Sequence, residues 1–123
     1  MMMPEWRAIL PYPPSVNHMY IRTRGGWLSL SAEAAQYRAV IRASCGLQHL
    51  MDGAVTVEID AYRPRNAGDL DNILKALLDS LQGVIYRDDK QVVQLVARRW
   101  TDRHNPRVEI TVRQIPGDWE RAV

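Results

Sequence analysis

The feature that most constrains the fold is a strand–helix–strand pattern in the middle of the chain. Residues 55–62 alternate apolar and polar side chains, which is typical of a strand with one buried face. A helix is predicted over residues 70–82, because its leucines and isoleucine recur on one face and Gly83 follows as a stop. Residues 92–100 predict a second apolar strand. Two strands joined by a helix predict a right-handed crossover between parallel strands.

The N-terminal part of the chain predicts a strand, a loop and a helix. An edge strand is expected near residues 6–10, followed by a Pro-rich extended loop, because proline fixes extended geometry and lacks a backbone donor. Residues 22–26 predict a turn or basic loop, since two glycines follow two arginines. Ser29 or Ser31 can cap a helix over residues 32–50.

The C-terminal part completes the predicted fold class. Residues 107–114 alternate like a half-buried strand and are predicted to form an antiparallel hairpin with the strand over residues 92–100. We therefore predict an α+β fold with a small mixed β-sheet and two main helices. Residues 1–123 are expected to be one domain, with flexible ends at residues 1–5 and 116–123.

Composition excludes several classes of protein. The longest uncharged run, residues 43–51, is far shorter than the roughly 18 residues that a membrane span needs. The opening residues lack a basic and then apolar signal, so we expect no secretory leader and a cytoplasmic location. Cys45 is the single cysteine, so no disulfide within the chain can form, and a buried or inert thiol is expected.

The charge pattern is compatible with a nucleic-acid partner without establishing one. The formal net charge is only +2, from 16 basic and 14 acidic residues. All the basic residues except Lys75 and Lys90 are arginine, whose planar fork suits bidentate contact with phosphate. A high-GC coding bias explains the excess of arginine equally well.

Two acidic pairs flank the predicted central helix. Asp69 and Asp71 lie where a basic loop meets the helix start, and Asp88 and Asp89 lie in the loop after it. If they converge, two carboxylates about 4 Å apart repel by roughly 4 kcal/mol at an effective dielectric of 20, so a cation is needed. Oxygen ligands without histidine or cysteine favour Mg²⁺ or Mn²⁺, which suit phosphoryl chemistry.

Each acidic pair also has a simpler interpretation. Asp71 can cap the helix and pair with Lys75 one turn later, and Asp88 and Asp89 can form a solvated turn. An EF-hand calcium loop does not fit, because Leu74 occupies the position that requires glycine. In the catalytic interpretation, Lys75 lies one turn from a metal-binding carboxylate and can stabilise a departing oxygen.

The combined spacing resembles the signature of the RusA-type Holliday-junction resolvases, over roughly residues 10–113. The central part reads Asp69-x-Asp71-Asn72-x-x-Lys75-x-x-x-Asp79-x-Leu81, followed by Asp88-Asp89-x-Gln91-Val92. The upstream part reads Pro13-Pro14-Ser15-Val16-Asn17-x-x-Tyr20, followed by Ser31-Ala32-Glu33 and then Tyr37-Arg38. Members of this family are small endodeoxyribonucleases, often from phages or prophages.

The resemblance implies a set of roles for this chain. It implies metal-binding carboxylates at Asp69, Asp71 and Asp89, a secondary role for Asp88, and a catalytic lysine at Lys75. It implies a Mg²⁺-dependent homodimer, in which Mn²⁺ can substitute, that acts on branched DNA such as a four-way junction. A dimer also meets a physical requirement, because two symmetric nicks need two sites and this chain has carboxylates for one.

Contact with DNA is expected from arginines and aromatic side chains in the predicted loops. Arginine can pair with phosphate and aromatic rings can stack on bases. The candidates are Arg22, Arg24, Arg63, Arg65, Tyr20 and Trp27. Trp27 fits the core or a dimer interface equally well. Two alternatives remain open at this point: a non-catalytic phage module that binds DNA junctions, and a nuclease for other branched DNA or for RNA.

Overall fold

The computed structural model describes residues 3–46, 49–66 and 69–116. The described chain folds into two layers, a mixed β-sheet and two α-helices that cover one of its faces. The strands are β1 (Glu5–Pro11), β2 (Tyr20–Arg22), β3 (Leu28–Leu30), β4 (Val55–Arg63), β5 (Val92–Thr101) and β6 (Arg107–Gln114). The helices are α1 (Ala32–Ser44) and α2 (Leu70–Leu81), and short 3₁₀ turns occur at Val16–His18 and Asp89–Gln91. The predicted α+β class, with a mixed sheet and two main helices, is confirmed.

The main sheet has the strand order β1-β6-β4-β5. β4 and β5 are parallel neighbours joined through α2, as the strand–helix–strand pattern predicted. The predicted C-terminal hairpin is wrong, because β6 does not pair with β5. Instead β6 lies between β1 and β4 and is antiparallel to both. Both of its long edges are therefore paired, which suits a strand whose alternate residues are fully buried.

The core lies between β4 and the two helices. Alternate apolar side chains of β4 point to the helices and are buried: Val55, Val57, Ile59 and Ala61. Leu77 and Leu81 of α2 pack on that face, together with Tyr37 and Ile41 of α1. Burial of each large apolar side chain contributes about 1.5–3 kcal/mol. The apolar side chains that alternate along the sequence of β4 therefore form the surface on which the helices pack.

The other face of the sheet is open and polar. The Arg98 guanidinium donates hydrogen bonds to Asp60 at 2.7 Å and to Glu58 at 2.7 Å. The bond from Arg98 holds the pKa of the Asp60 carboxyl below its usual value. Trp100 Nε1 also donates to Asp60, at 2.9 Å, and the Trp100 ring stacks on Tyr62. These contacts tie β4 to β5 on the side away from the helices.

Helix α1 is shorter than predicted. Of the two possible caps, Ser31 is the one used: its hydroxyl accepts a hydrogen bond from the Ala34 N–H and donates to the His18 carbonyl. The helix ends at Ser44 rather than residue 50, because Cys45 takes an extended conformation. Gly46 follows, and glycine is a poor helix former.

The predicted turn at residues 22–26 is the tip of a small hairpin formed by β2 and β3. The Thr23 N–H donates to the Trp27 carbonyl at 2.7 Å, and Gly26 has a φ of 84°, a conformation that favours glycine. The two strands were not predicted, because their side chains are exposed and show no alternation of burial.

The chain ends differ in part from the prediction of flexible termini. Glu5 begins β1, and the Pro4 carbonyl accepts a hydrogen bond from the Gln114 N–H at 2.9 Å. The predictions for residues 1–2 and 117–123 lie outside the described residues. Within the described ranges, no helix is long and apolar enough to span a membrane.

A core substitution tests this packing. Leu77→Ala is expected to lower the free energy of unfolding by about 2–5 kcal/mol, because Leu77 is fully buried between α2 and the sheet. Leu28→Ala in the exposed hairpin is the control and should change it by less than about 0.5 kcal/mol. Urea denaturation followed by circular dichroism measures both, and equal effects would contradict the assigned core.

Candidate active site

The first acidic pair lies at the start of α2, beyond the carboxyl end of β4. Asp69 is the N-cap: its Oδ1 accepts the Asn72 N–H at 2.9 Å. Asp71 is exposed in the first turn, where the helix dipole favours negative charge. The capping role that could have explained Asp71 therefore belongs to Asp69. Asn72 takes part in this cap through its backbone.

Lys75 lies one turn after Asp71 and is exposed on the same helix. The simpler interpretation paired these two residues, but no ion pair within 4.0 Å joins them in the part of the chain that the structure describes. The ammonium group of Lys75 is thus available to an anionic ligand.

The second acidic pair lies in a turn that is held by hydrogen bonds. Asp88 Oδ1 accepts the Lys90 N–H at 2.9 Å, and Gln91 Oε1 accepts the Asp88 N–H at 3.0 Å. Gln91 Nε2 donates to the carbonyls of Met51 and Gly53, just before β4. Gln91 therefore anchors this turn to the amino end of β4. In the sequence analysis it was a position of the family signature without an assigned role.

Asp89 is half-buried and electrostatically crowded. Its Oδ1 accepts a hydrogen bond from the Tyr86 hydroxyl at 3.0 Å. Burial raises the pKa of the Asp89 carboxyl, and the negative charges of Asp79 and Asp88 raise it further, against the opposing effect of the Tyr86 hydrogen bond. Burial also raises the pKa of Tyr86, so its phenol stays protonated and keeps donating. A bound cation would relieve the crowding at Asp89.

Within one chain, α2 separates the two acidic pairs. β5 begins beside the start of β4, with Val92 opposite Val55, so Asp89 lies at the amino end of these strands. Asp69 and Asp71 lie at the other end of α2, whose 12 residues span about 18 Å. Among residues 3–46, 49–66 and 69–116, no three His, Cys, Asp or Glu side chains form a metal-binding group. The two acidic pairs, whose convergence the sequence left open, therefore do not meet within one subunit.

The donor chemistry nevertheless fits a hard divalent cation. Asp69 uses one carboxylate oxygen for its cap and Asp89 uses one for Tyr86, which leaves the second oxygen of each available. Asp71 adds an exposed carboxylate, and the set contains no nitrogen or sulfur donor. Mg²⁺ and Mn²⁺ prefer such oxygen ligands.

The candidate DNA contacts fall into two groups. Tyr20, Arg22, Arg24 and Trp27 are exposed on the β2–β3 hairpin, and Trp27, at 77% exposed, lies outside the core that the described residues form. Arg65 is exposed in the loop that leads to Asp69. These five remain suitable for contact with phosphates or bases.

Arg63 differs from the other candidates. It is only 7% exposed, and its guanidinium donates hydrogen bonds to Asn66 Oδ1 and Thr101 Oγ1, each at 3.0 Å. These bonds fasten the loop before α2 to the end of β5. The structure therefore gives Arg63 a positioning role for the loop rather than an exposed surface for DNA.

Arg38 is a residue of this region that the sequence prediction missed. Its guanidinium donates to the carbonyls of Asp79 and Gln82, each at 2.9 Å, and so caps the last turn of α2. The Arg38 side chain crosses from α1 to do this. The family pattern includes Arg38 but could not predict this contact, because it joins residues that are 41 and 44 positions apart in the sequence.

The crowding at Asp89 predicts a pH-dependent effect on stability. Because the pKa of Asp89 is raised in the folded state, its ionisation favours the unfolded chain, and stability is lost as pH rises through the folded pKa. Asp89→Asn keeps an oxygen for Tyr86 and should be more stable than wild type at pH 7, with the difference vanishing near pH 3. Thermal melts at both pH values measure this.

The matched control for that variant is Asp52→Asn. Asp52 is exposed and forms a 3.5 Å ion pair with Arg87, so this substitution should bring no gain in stability at either pH. A lower melting temperature for Asp89→Asn at pH 7 would contradict the assigned electrostatics.

Comparison with known proteins gives a consistent result. The family model "Endodeoxyribonuclease RusA" matches residues 11–113. The crossover junction endodeoxyribonuclease RusA of Escherichia coli (strain K12) is 32% identical over 118 residues, which cover 92% of this chain and 98% of that protein.

Two phage proteins resemble this chain to about the same degree. The crossover junction endodeoxyribonuclease of Enterobacteria phage HK97 is 34% identical over 93 residues, covering 72% of this chain and 77% of the relative. That of Enterobacteria phage 82 is 32% identical over 119 residues, covering 92% and 98%. The family signature seen in the sequence is thus matched across nearly the whole chain, and the chain belongs to the endodeoxyribonuclease RusA family.

Proposed function

We propose that this chain is a Mg²⁺-dependent, structure-specific endodeoxyribonuclease that resolves Holliday junctions by paired symmetric nicks during DNA recombination and repair. Membership of the endodeoxyribonuclease RusA family and similarity to crossover junction endodeoxyribonucleases support this activity. The observation that carries it is the exposed set of Asp69, Asp71 and Lys75 on the first turns of α2: carboxylate oxygens beside an ammonium group that forms no ion pair with the residues the structure describes. Such DNA lies in the cytoplasm of a bacterial cell, where we expect the protein to act.

The proposed metal ligands are Asp69, Asp71 and Asp89, with Asp88 in a supporting role. When bound there, Mg²⁺ supplies charge neutralisation at the scissile phosphate and a lowered pKa for the attacking water, and Mn²⁺ can do the same. Asp88 holds the turn that orients Asp89, through its bond to the Lys90 N–H. Lys75 holds a phosphate oxygen and stabilises the charge that develops on the departing 3′-oxygen.

The placement of the acidic pairs supports a site shared by two subunits. In one chain, Asp69 and Asp71 lie at the start of α2, whose 12 residues span about 18 Å, and the turn that carries Asp89 follows the end of that helix. We propose that each metal site combines Asp69 and Asp71 of one subunit with Asp89 of the partner subunit. A two-fold dimer then has two equivalent sites, one for each strand that a symmetric resolution must cut.

The exposed hairpin formed by β2 and β3 is the proposed DNA contact beside this site. Arg22 and Arg24 can pair with phosphates, and Tyr20 and Trp27 can stack on bases that lose a stacking neighbour where the strands of a junction cross. Arg65 adds a positive charge in the loop that leads to Asp69. These contacts favour a branched substrate over a regular duplex, whose bases are already stacked.

The first test removes one proposed ligand. Asp71→Asn is expected to lower the rate of cleavage of a synthetic four-way junction at least about 100-fold in Mg²⁺. Mutation of a group that only supports a metal ligand typically costs about 10–100-fold in affinity or activity, and loss of the ligand itself should cost more. Binding of the junction in a gel-shift assay without Mg²⁺ should be unchanged or tighter, since a negative charge is removed. Asp52→Asn, an exposed acid outside the site, is the control and should cut normally.

Three outcomes of that test would contradict the proposal in different ways. Normal cleavage by Asp71→Asn would exclude its role as a ligand. Gel shifts without any nicking by the wild type in Mg²⁺ or Mn²⁺ would indicate a non-catalytic junction-binding module. Faster cutting of flaps, forks or RNA in competition would change the substrate.

The second test asks which subunit supplies each ligand. Mixed dimers of Asp71→Asn and Asp89→Asn chains contain one shared site with both ligands intact, so they should nick one strand of the junction, although each parent is inactive. Mixed dimers of Asp69→Asn and Asp71→Asn chains are the matched control and should stay inactive, because both positions lie on the same side of each site. Denaturing gels of labelled junction strands measure single and paired nicks. Equal inactivity of both mixtures would contradict the shared site.

A further inference from the structure

A three-layer stack of side chains lies on the open face of the sheet, where β5 ends. Tyr62 of β4 is in register with Trp100 of β5, and their rings stack with centroids 6.4 Å apart. On the other side of Tyr62, the guanidinium of Arg107 from β6 lies over the ring at 3.8 Å from its centroid. Guanidinium, phenol and indole therefore form one column across three strands. Trp100 is its outermost layer, because β5 is the last strand of the sheet.

The Trp100 ring is held in place from within the chain and is still exposed. Its Nε1 donates to Asp60 Oδ1 at 2.9 Å, and the Arg98 guanidinium donates to that same oxygen at 2.7 Å. The ring is nevertheless 48% exposed. Tyr62 covers one face and Asp60 satisfies the indole N–H, so the outward face is the part left for a ligand. An aromatic ring that is fixed before binding loses little conformational entropy when another ring stacks on it.

The stack lies at the same edge of the sheet as the start of α2. Tyr62 and Trp100 lie near the carboxyl ends of β4 and β5, and α2 begins beyond the carboxyl end of β4. The Arg63 guanidinium donates to the Trp100 carbonyl at 3.4 Å and to Asn66 Oδ1 at 3.0 Å. These bonds tie the end of β5 to the loop that leads to Asp69. The exposed indole is therefore at the end of the molecule where the proposed site would hold a phosphate.

The charge around the exposed ring favours an anionic partner. Arg99 and Arg103 lie within three positions of Trp100 along the chain, and both are exposed. The nearby acids, Asp60 and Asp102, each form an ion pair with an arginine. Proteins bind single-stranded nucleic acid with aromatic rings among cationic side chains, because bases stack on the rings while phosphates pair with the cations. This surface therefore fits DNA better than it fits an apolar protein partner.

We propose that the outward face of Trp100 is a stacking platform for a base of the bound DNA that has lost its stacking neighbour where the strands of a junction cross. This inference rests on the proposed function and adds a part of its substrate recognition. The base becomes the fourth layer of the column, and the exposed arginines contact the phosphates beside it. Because every base has a π-face, the platform distinguishes branched or single-stranded DNA from a closed duplex, and not one sequence from another.

A pair of matched variants separates stacking from packing. Trp100→Leu and Trp100→Phe both lose the hydrogen bond to Asp60, but only phenylalanine keeps an aromatic face. Trp100→Leu should raise the dissociation constant for a synthetic four-way junction about 5- to 150-fold, which is the effect of losing one base–aromatic stack. Trp100→Phe should stay within about threefold of the wild type, and neither variant should change the binding of a closed circular duplex. Gel shifts and competition without Mg²⁺ measure these affinities.

The control for these variants is Ile9→Ala. Ile9 is 70% exposed on the same face of the sheet, but on β1 at its other edge, so its loss should leave junction binding unchanged. Circular dichroism checks the folding of each variant, and sedimentation checks its mass.

Photochemical cross-linking tests the contact itself. Iodouracil placed at the crossing point of the junction should cross-link, under long-wavelength light, to an aromatic ring that stacks on it. Trypsin cuts after Arg99 and Arg103, so mass spectrometry should find the label in the fragment over residues 100–103, whose one aromatic residue is Trp100. Iodouracil placed well inside one arm of the junction should not label this fragment.

The outcomes distinguish this inference from the proposed function. Equal junction affinities for Trp100→Leu and Trp100→Phe, or no label in residues 100–103, overturn the platform, and the nuclease stays assigned if the wild type cuts junctions. Labelling of Trp100 without any nicking by the wild type in Mg²⁺ or Mn²⁺ overturns the function and keeps the platform. A lower sedimenting mass for Trp100→Leu than for Trp100→Phe would assign the ring to a contact between copies and overturn the platform.

Discussion

The crossover from β4 through α2 to β5 determines where every group of the candidate site can lie. Its buried face, from Val55 to Ala61, holds α2 against the sheet through Leu77 and Leu81. Because α2 runs antiparallel to the two strands it connects, its first turn lies at their carboxyl ends and its last turn at their amino ends. The two acidic pairs of the family signature therefore lie at opposite ends of α2.

This crossover could be predicted from the sequence because its signals are local. Alternation over residues 55–62 and helical spacing over residues 70–82 depend on neighbours within each element. The place of β6 could not be predicted in the same way, since its buried Val108, Ile110 and Val112 suit any inner position of the sheet. The pairing depends on which strand edges remain free, a property of the whole chain. The β2–β3 hairpin was missed because its exposed strands lack a buried face.

For the site, residue type and spacing identified the acids but not their arrangement. The separation of Asp69 from Asp89 follows from the crossover that the sequence itself predicts, because a helix between parallel strands begins and ends at opposite strand ends. Spacing alone left open whether the two acidic pairs meet within one subunit, and the crossover shows that they do not. The burial of Arg63 was not foreseen for a different reason: its bonds to Asn66 and Thr101 depend on β5 lying beside β4, which the arginine-rich loop does not reveal.

The same electrostatics connect folding, assembly and chemistry in the proposed enzyme. Burial and the charges of Asp79 and Asp88 already disfavour ionisation of Asp89 in one chain. Bringing this turn beside Asp69 and Asp71 of another subunit adds like charges, which repel by roughly 4 kcal/mol per close pair at an effective dielectric of 20. A divalent cation bound between these carboxylates offsets that repulsion. Binding of the ion and association of the subunits should therefore strengthen one another, because association completes the set of ligands and the ion neutralises their repulsion.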